Sequence, residues 1–163
     1  MPTLIIETFI AASPERVFDL ARDVGAHVLT ARFTGERAIA PGKTSGLLEH
    51  GDLVVFEAVH LGVRQRLSAR IVELERPRRF ADEQVSGVFK RLRHVHEFEP
   101  RSGGTLMRDT LEWSSPFGIL GRIADRLLVE RHLRWFLVEK QRALKSLAEE
   151  RQPSVTGPKT GSP

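Results

Sequence analysis

The sequence predicts an α+β domain in which a curved antiparallel sheet of six to seven strands wraps around one long C-terminal helix, with two small helices after the first strand. The first observation is a helical stripe. From about Gly118 to about Glu150, Val129, Leu133, Phe136, Leu137, Leu144 and Leu147 recur at three- and four-residue steps, while Arg131, Arg134, Glu139 and Arg142 point elsewhere. The second is the period-two alternation that runs from about Gly35 to Trp113. The third is the shortness of the turns between those segments, which only antiparallel neighbours satisfy. The long helix is the one element large enough to cover the apolar face of such a sheet.

In chain order, Thr3 to Ala11 alternates as a strand and stops at Ser13-Pro14, an N-cap followed by proline at the first helical position. A helix over Pro14 to Asp23 carries Val17, Leu20, Ala21 and Val24 at helical spacing, and Gly25 separates it from a second short apolar piece, His27 to Leu29. Strands are then expected over Arg37 to Ala40, Thr44 to His50, Leu53 to Val63, Arg64 to Leu74, Phe80 to Val85, Phe89 to Glu99 and Thr105 to Trp113. Pro41-Gly42, His50-Gly51-Asp52, Arg76-Pro77, Ser86-Gly87 and Arg101-Ser102-Gly103-Gly104 mark turns between them. Residues 1–150 form one domain. The tail, 151–163, is rich in Pro, Gly, Ser and Thr and reads as disordered.

The long helix has two irregularities. Leu120, Ile123, Ala124 and Leu127 lie on a face rotated away from the main stripe, so either the helix breaks near Leu128 or its first turns touch something other than the sheet. Lys140 falls inside the stripe, between Phe136, Leu137 and Leu144, where an ammonium is costly to desolvate. It either snorkels to an edge or points into a polar cavity or at a ligand.

Composition narrows the function classes. The 163 residues, 40% hydrophobic, suffice for one core, and no apolar run is long enough for stable membrane insertion. The start MPTLIIETFIAA lacks a charged n-region, and a cytoplasmic location is expected. The absence of Cys excludes disulfides and thiolate metal sites. The net charge of +4 is almost all Arg, interleaved with acids, so no nucleic-acid partner is expected. Arg64, Arg66 and Arg70 alternate on one strand and read as a solvated outer face. A homodimer is compatible with all of this.

A curved sheet gripping a single helix leaves space between its concave face and that helix, so a cavity is expected. The stretch Phe80-Ala-Asp-Glu-Gln-Val-Ser-Gly-Val-Phe89, then His94-Val-His96-Glu-Phe98, Gly103-Gly-Thr-Leu-Met-Arg-Asp109 and Pro116-Phe-Gly-Ile-Leu-Gly121, resembles the START-related (SRPBCC) superfamily, in particular its polyketide cyclase/dehydrase-like and ligand-binding members. The resemblance runs from Thr3 to about Leu147. It implies a helix-grip fold with a deep pocket for a small hydrophobic or amphipathic ligand; it does not imply a metal, and no cofactor is expected. Function within the superfamily ranges from lipid carriers to cyclases. Members commonly carry an aromatic residue two positions before the first His, where this chain has Leu92.

On the strand Phe89 to Glu99, Leu92, His94, His96 and Phe98 share the inward face. A regular hairpin at Arg101 to Gly104 would set Phe98 near Met107, His96 near Asp109 and His94 near Leu111. An Asp opposite a shielded His holds the imidazole in one tautomer and raises its pKa. His96 and Asp109 are therefore the candidate catalytic pair if the chain is an enzyme, and otherwise a satisfied buried pair. The full ligand-binding set is His94, His96, Gln84, Asp109, Lys140, His60, Phe56, Phe98, Trp113 and Phe136. Gln84 joins it only if Phe80, Asp82 and Ser86 face inward. His94 and His96 could supply two metal ligands, with Asp109 or His60 completing a site, but this spacing is common and no metal is expected. Trp135 lies off the stripe, packed on the first helix or marking a partner surface. Three functions follow: a carrier or sensor of a small hydrophobic molecule, a polyketide cyclase/dehydratase-like enzyme, or a protein or membrane interaction module.

Overall fold

Ser13 ends the first strand and starts the first helix. In the computed structural model, which describes residues 1–116 and 118–150, strand β1 spans Thr3–Ile10 and helix α1 spans Pro14–Ala21, with the Ser13 hydroxyl accepting from the Arg16 amide at 3.4 Å. Asp23 caps helix α2, Val24–Thr30, in the same way, its carboxylate accepting from the Ala26 amide at 2.8 Å. A 3-10 turn follows at Arg32–Thr34. The tail expected to be disordered lies outside the described residues.

Strands β2 (Arg37–Ala38), β3 (Leu53–His60), β4 (Val63–Glu75), β5 (Arg79–Ser86), β6 (Arg91–Arg101) and β7 (Gly104–Ser114) form a meander, and β1 closes it beside β7, giving one seven-stranded antiparallel sheet in the order β1-β7-β6-β5-β4-β3-β2. Irregularities in the β4–β5 register at Ser68/Ala69 and Ile71/Glu73 bend the sheet at its longest strand. Two expected strands change. Thr44 to His50 is not a strand: Gly46 is left-handed (φ 78°), and Leu48 donates its amide to Arg22 rather than to a sheet neighbour. The strand expected to reach Val63 stops at His60, because Leu61 and Gly62 both take positive φ (52° and 76°) and form a two-residue hairpin turn. Of the outer arginines, Arg66 and Arg64 join Arg37 on Glu57 at 2.8, 3.1 and 2.6 Å and hold its carboxyl down at about 2.

The C-terminal helix runs as α3 (Gly118–Ala124), a π-helical turn (Asp125–Val129) and α4 (Glu130–Glu149). The wide turn explains the phase change in the sequence. It rotates the register without a break, so Ile123 and Leu127 face solvent while Leu137 and Leu144 are buried. The Asp125 carboxylate is buried there and accepts from Trp113 Nε1 at 3.0 Å and from Ser115 Oγ.

Two clusters of apolar side chains hold the sheet to the helices. In one, Phe18 from α1 meets Phe80 and Phe98 edge-on at 5.5 and 5.3 Å, with Leu144 and Ala148 of α4 alongside. In the other, Leu4, Leu111 and Trp113 of β1 and β7 pack on Leu137. Each fully buried side chain of this size contributes roughly 1.5–3 kcal/mol. The polar residues described next lie between the two clusters.

Candidate functional site

The concave face of the sheet and α4 enclose a cavity of about 370 Å³. Its wall is mainly apolar, with Phe56 and Ala58 from β3, Leu67 from β4, Leu92 from β6 and Phe136 from α4. At one end three loops supply Leu61, Val88 and Pro116; Leu61 and Val88 are about half exposed, so the cavity reaches the surface there.

The strand register builds a buried polar row across this wall. His96 pairs with Asp109 and Phe80, and His94 pairs with Leu111 and Asp82, all on the inward face. Phe80 stacks on His96 at 4.3 Å, and the His94 and His96 rings are 3.9 Å apart. Asp109 Oδ1 lies 2.6 Å from His96 Nδ1 and 3.5 Å from His94 Nε2, and Asp82 Oδ2 lies 3.6 Å from His96 Nε2. Neither of the Asp109 Oδ1 contacts lies along an N–H direction, so these atoms are held by charge more than by aligned hydrogen bonds. Gln141 of α4 supplies the directed bond: its Nε2 donates to Asp109 Oδ2 at 2.7 Å, and its Oε1 accepts from Thr8 Oγ1.

Burial favours neutral His96, but Asp109 and then Asp82 outweigh it and raise the imidazole to about 9. His94 goes the other way: burial, reinforced by the neighbouring His96 charge, lowers it. Burial opposes ionisation of Asp109 and Asp82 too, yet the imidazolium holds both below the usual carboxylate range. Two adjacent histidines thus titrate in opposite directions.

A second polar group faces the same cavity. Glu36 Oε1 lies 2.8 Å from His27 Nε2, Phe56 stacks on the His27 ring at 4.1 Å, and Lys140 Nζ sits 2.9 Å from both ring nitrogens. Burial lowers the pKa of His27, as does the Lys140 charge, and burial lowers Lys140 itself. For Glu36 burial is outweighed by His27 and Lys140, and its carboxyl is lowered. Towards the loop end, His60 Nδ1 and His132 Nε2 are 3.0 Å apart, both pushed down by burial and so neutral near pH 7.

Of the residues expected in the site, His94, His96, Lys140, His60, Phe56 and Phe136 line the cavity. Lys140 follows the second of its two expectations and points inward. Asp109 sits behind the two histidines and meets a separate space of about 20 Å³. The structure places three others away from the cavity wall. Gln84 donates to the Phe89 carbonyl at 2.7 Å and ties the β5–β6 loop, although its strand face is the inward one. Phe98 is spent in the core against Phe18, and Trp113 is wholly buried with its N–H on Asp125. Trp135 packs on Phe33 of the 3-10 turn at 5.3 Å rather than on the first helix.

The site also contains residues the sequence reading passed over. Asp82 shares the alternation of Phe80 and Gln84, and Gln141 sits four residues after Leu137 and three before Leu144, so periodicity could have found both. His27 and Glu36 lie in irregular segments where no period applies. Asp82, His94 and His96 each bring one ligand atom within 4.8 Å of the others, making them the group among the described residues able to hold a divalent cation; Asp109 and His60 are not part of it. Among the described residues no helix is long and apolar enough to cross a membrane.

Residues 10–134 match the family described as polyketide cyclase / dehydrase and lipid transport. No curated protein matches the chain. Among solved structures, a protein from Thermus thermophilus is 23% identical, with TM-score 0.75 over 92% of this chain and 100% of that one. An aromatase/cyclase from Streptomyces sp. R1128 is 16% identical, with TM-score 0.75 over 96% and 98%. Ginseng major latex-like protein 151 from Panax ginseng is 14% identical, with TM-score 0.67 over 90% and 97%. At these identities the likeness is one of fold.

Proposed function

The chain belongs to the polyketide cyclase / dehydrase and lipid transport family, and from that premise we propose that its cavity binds one small hydrophobic or amphipathic molecule, for carriage or sensing. The observation that carries this is the cavity itself: about 370 Å³, reaching the surface at the loop end, apolar along its walls and ionisable at Lys140 and His96. That volume falls in the range of small-molecule sites, roughly 300–1,000 Å³. Apolar walls alone supply about 0.8 kcal/mol per buried methylene, set against some 4–15 kcal/mol for the freedom lost on association. A polar headgroup at the histidine and lysine groups then supplies orientation and selectivity. Titration with a fluorescent apolar probe tests this. One site per chain is expected, weakened at least tenfold by Ala58→Phe, which fills the wall; unchanged binding by a folded Ala58→Phe variant would refute the location.

A second reading, a cyclase or dehydratase, is supported by the divergence of the two histidines. An imidazolium at His96 can hand a proton to a leaving hydroxyl, while neutral His94 can accept one from carbon. Asp109 would act as the positioning residue. Here His96→Asn would abolish turnover of a β-hydroxy ketone while leaving probe affinity within about threefold. An interaction module needs no cavity; a dry, fully packed interior would have left it as the sole reading.

A further inference from the structure

We propose that Lys140 is a covalent capture site for an aldehyde or ketone, its Nζ condensing with the carbonyl carbon of a ligand held in the cavity to give a Schiff base. The inference rests on the cavity's taking a small apolar molecule, and it adds a bond and a substrate class to that reading. Three observations support it. Lys140 projects from the buried face of α4 onto the cavity wall, and among the described residues no carboxylate comes within ion-pair distance of it, whereas Lys43 and Lys145 are engaged by Asp52 and Glu149 at 2.7 and 2.6 Å. Burial favours its neutral, nucleophilic amine. Its neighbour is an imidazole backed by a carboxylate: Nζ lies 2.9 Å from both His27 nitrogens, and Glu36 lies 2.8 Å from His27 Nε2.

A single nitrogen equidistant from Nδ1 and Nε2 lies off the plane of the ring and on neither in-plane lone pair, so Nζ is not fixed by an aligned bond to His27 and can turn towards the cavity. The Nζ lone pair attacks the carbonyl carbon and the C=O π electrons move to oxygen; His27 takes one N–H proton from the now cationic nitrogen and delivers it to that oxygen, giving the neutral carbinolamine. A protonated His27 then gives its proton to the hydroxyl, which leaves as water while the nitrogen lone pair forms C=N, and the iminium returns its remaining N–H proton to His27. One water is lost, and no oxidant or reductant is needed. Glu36 stabilises the transient imidazolium of His27. A carboxylic acid or alcohol of the same length would occupy the cavity without forming this bond.

The test incubates the full chain with decanal and sodium cyanoborohydride, which reduces a Schiff base to a stable secondary amine, followed by intact-mass and peptide mapping. The expected result is one decyl group per chain, mapped to Lys140, with labelling at least tenfold faster than at Lys43, Lys90, Lys145 or Lys159. Lys140→Arg, which keeps a cation but cannot condense, should lose that label, and His27→Asn should slow it severalfold. In parallel, 1-decanol is titrated against the fluorescent probe in the unmodified protein. Displacement by decanol without preferential labelling of Lys140 overturns the covalent step and leaves the cavity reading standing. Labelling that persists on the same peptide in Lys140→Arg, or that is equal at all lysines, also overturns it. Absence of both labelling and displacement removes the two together.

Discussion

Asp109→Asn removes the charge that outweighs burial at His96 while preserving the shape of the side chain and an acceptor for Gln141 Nε2. In the native protein the imidazole rises from its ordinary 6.5 to about 9. At about 1.4 kcal/mol per tenfold, that corresponds to roughly 3 kcal/mol in favour of the folded, protonated site. The sign follows from a raised base: this stabilisation is fully present below pH 6.5 and is lost as pH climbs through about 9. In Asp109→Asn the main opposing charge is gone and only Asp82, at 3.6 Å, remains, so burial dominates and His96 becomes neutral at pH 7. The assays are side-chain nitrogen NMR of His96 from pH 5 to 10 and urea unfolding at pH 6 and pH 9. The variant should lose on the order of 3 kcal/mol relative to wild type at pH 6 and distinctly less at pH 9. Burial lowers Lys140, and the Asp109 charge raises both Lys140 and His94, so the NMR titration of His96 is what assigns the stability difference to the His96 pair. A native His96 that titrates at or below 6.5, or a midpoint that does not move in Asp109→Asn, would refute the reasoning.

Other substitutions probe the supports of the site. Gln141→Leu leaves Asp109 Oδ2 without its donor and should cost about 1–3 kcal/mol in urea unfolding, whereas Arg101→Ala, which breaks an exposed pair with Glu99, should cost less than about 1 kcal/mol. Trp113→Phe removes the Nε1 donor to buried Asp125 together with part of a wholly buried ring; a loss of at least about 1–3 kcal/mol is expected, and an unchanged unfolding midpoint would argue against a structural role for that bond. Leu61→Asn places a residue tolerant of positive φ before Gly62 and should stabilise the β3–β4 hairpin by about 1 kcal/mol, seen as a higher thermal midpoint; a lower midpoint would mean that Leu61 matters more for packing than for strain.

The architecture was legible because its periods are long. Strand alternation through Phe89 to Glu99 and the Arg101 to Gly104 turn determine a register, and the observed pairing of His96 with Asp109 follows from them. The long helix was visible for the same reason, and the π turn at Asp125–Val129 showed itself as a rotated stripe before its geometry was known. Short-range signals misled where a single residue decides. Thr44 to His50 alternates well, but its backbone bonds go to the loop after α1, and the Leu61-Gly62 turn is hidden because leucine rarely adopts positive φ. The site was legible on its strand side and at Phe136 and Lys140 of the long helix, which line the cavity. Gln84 and Asp82 share one face of β5, and only tertiary placement shows that one ties a loop while the other faces His96. His27 and Glu36 come together with Lys140 across irregular segments and a distant helix, a meeting that no local pattern encodes.

Native mass spectrometry of the gently purified full chain, followed by extraction and identification of whatever dissociates on denaturation, bears most directly on the central claim. The account predicts one small hydrophobic or amphipathic molecule per chain, displaced by an apolar probe and largely lost in Ala58→Phe. Chain that carries no such molecule and also fails to take up any apolar probe in solution would contradict it.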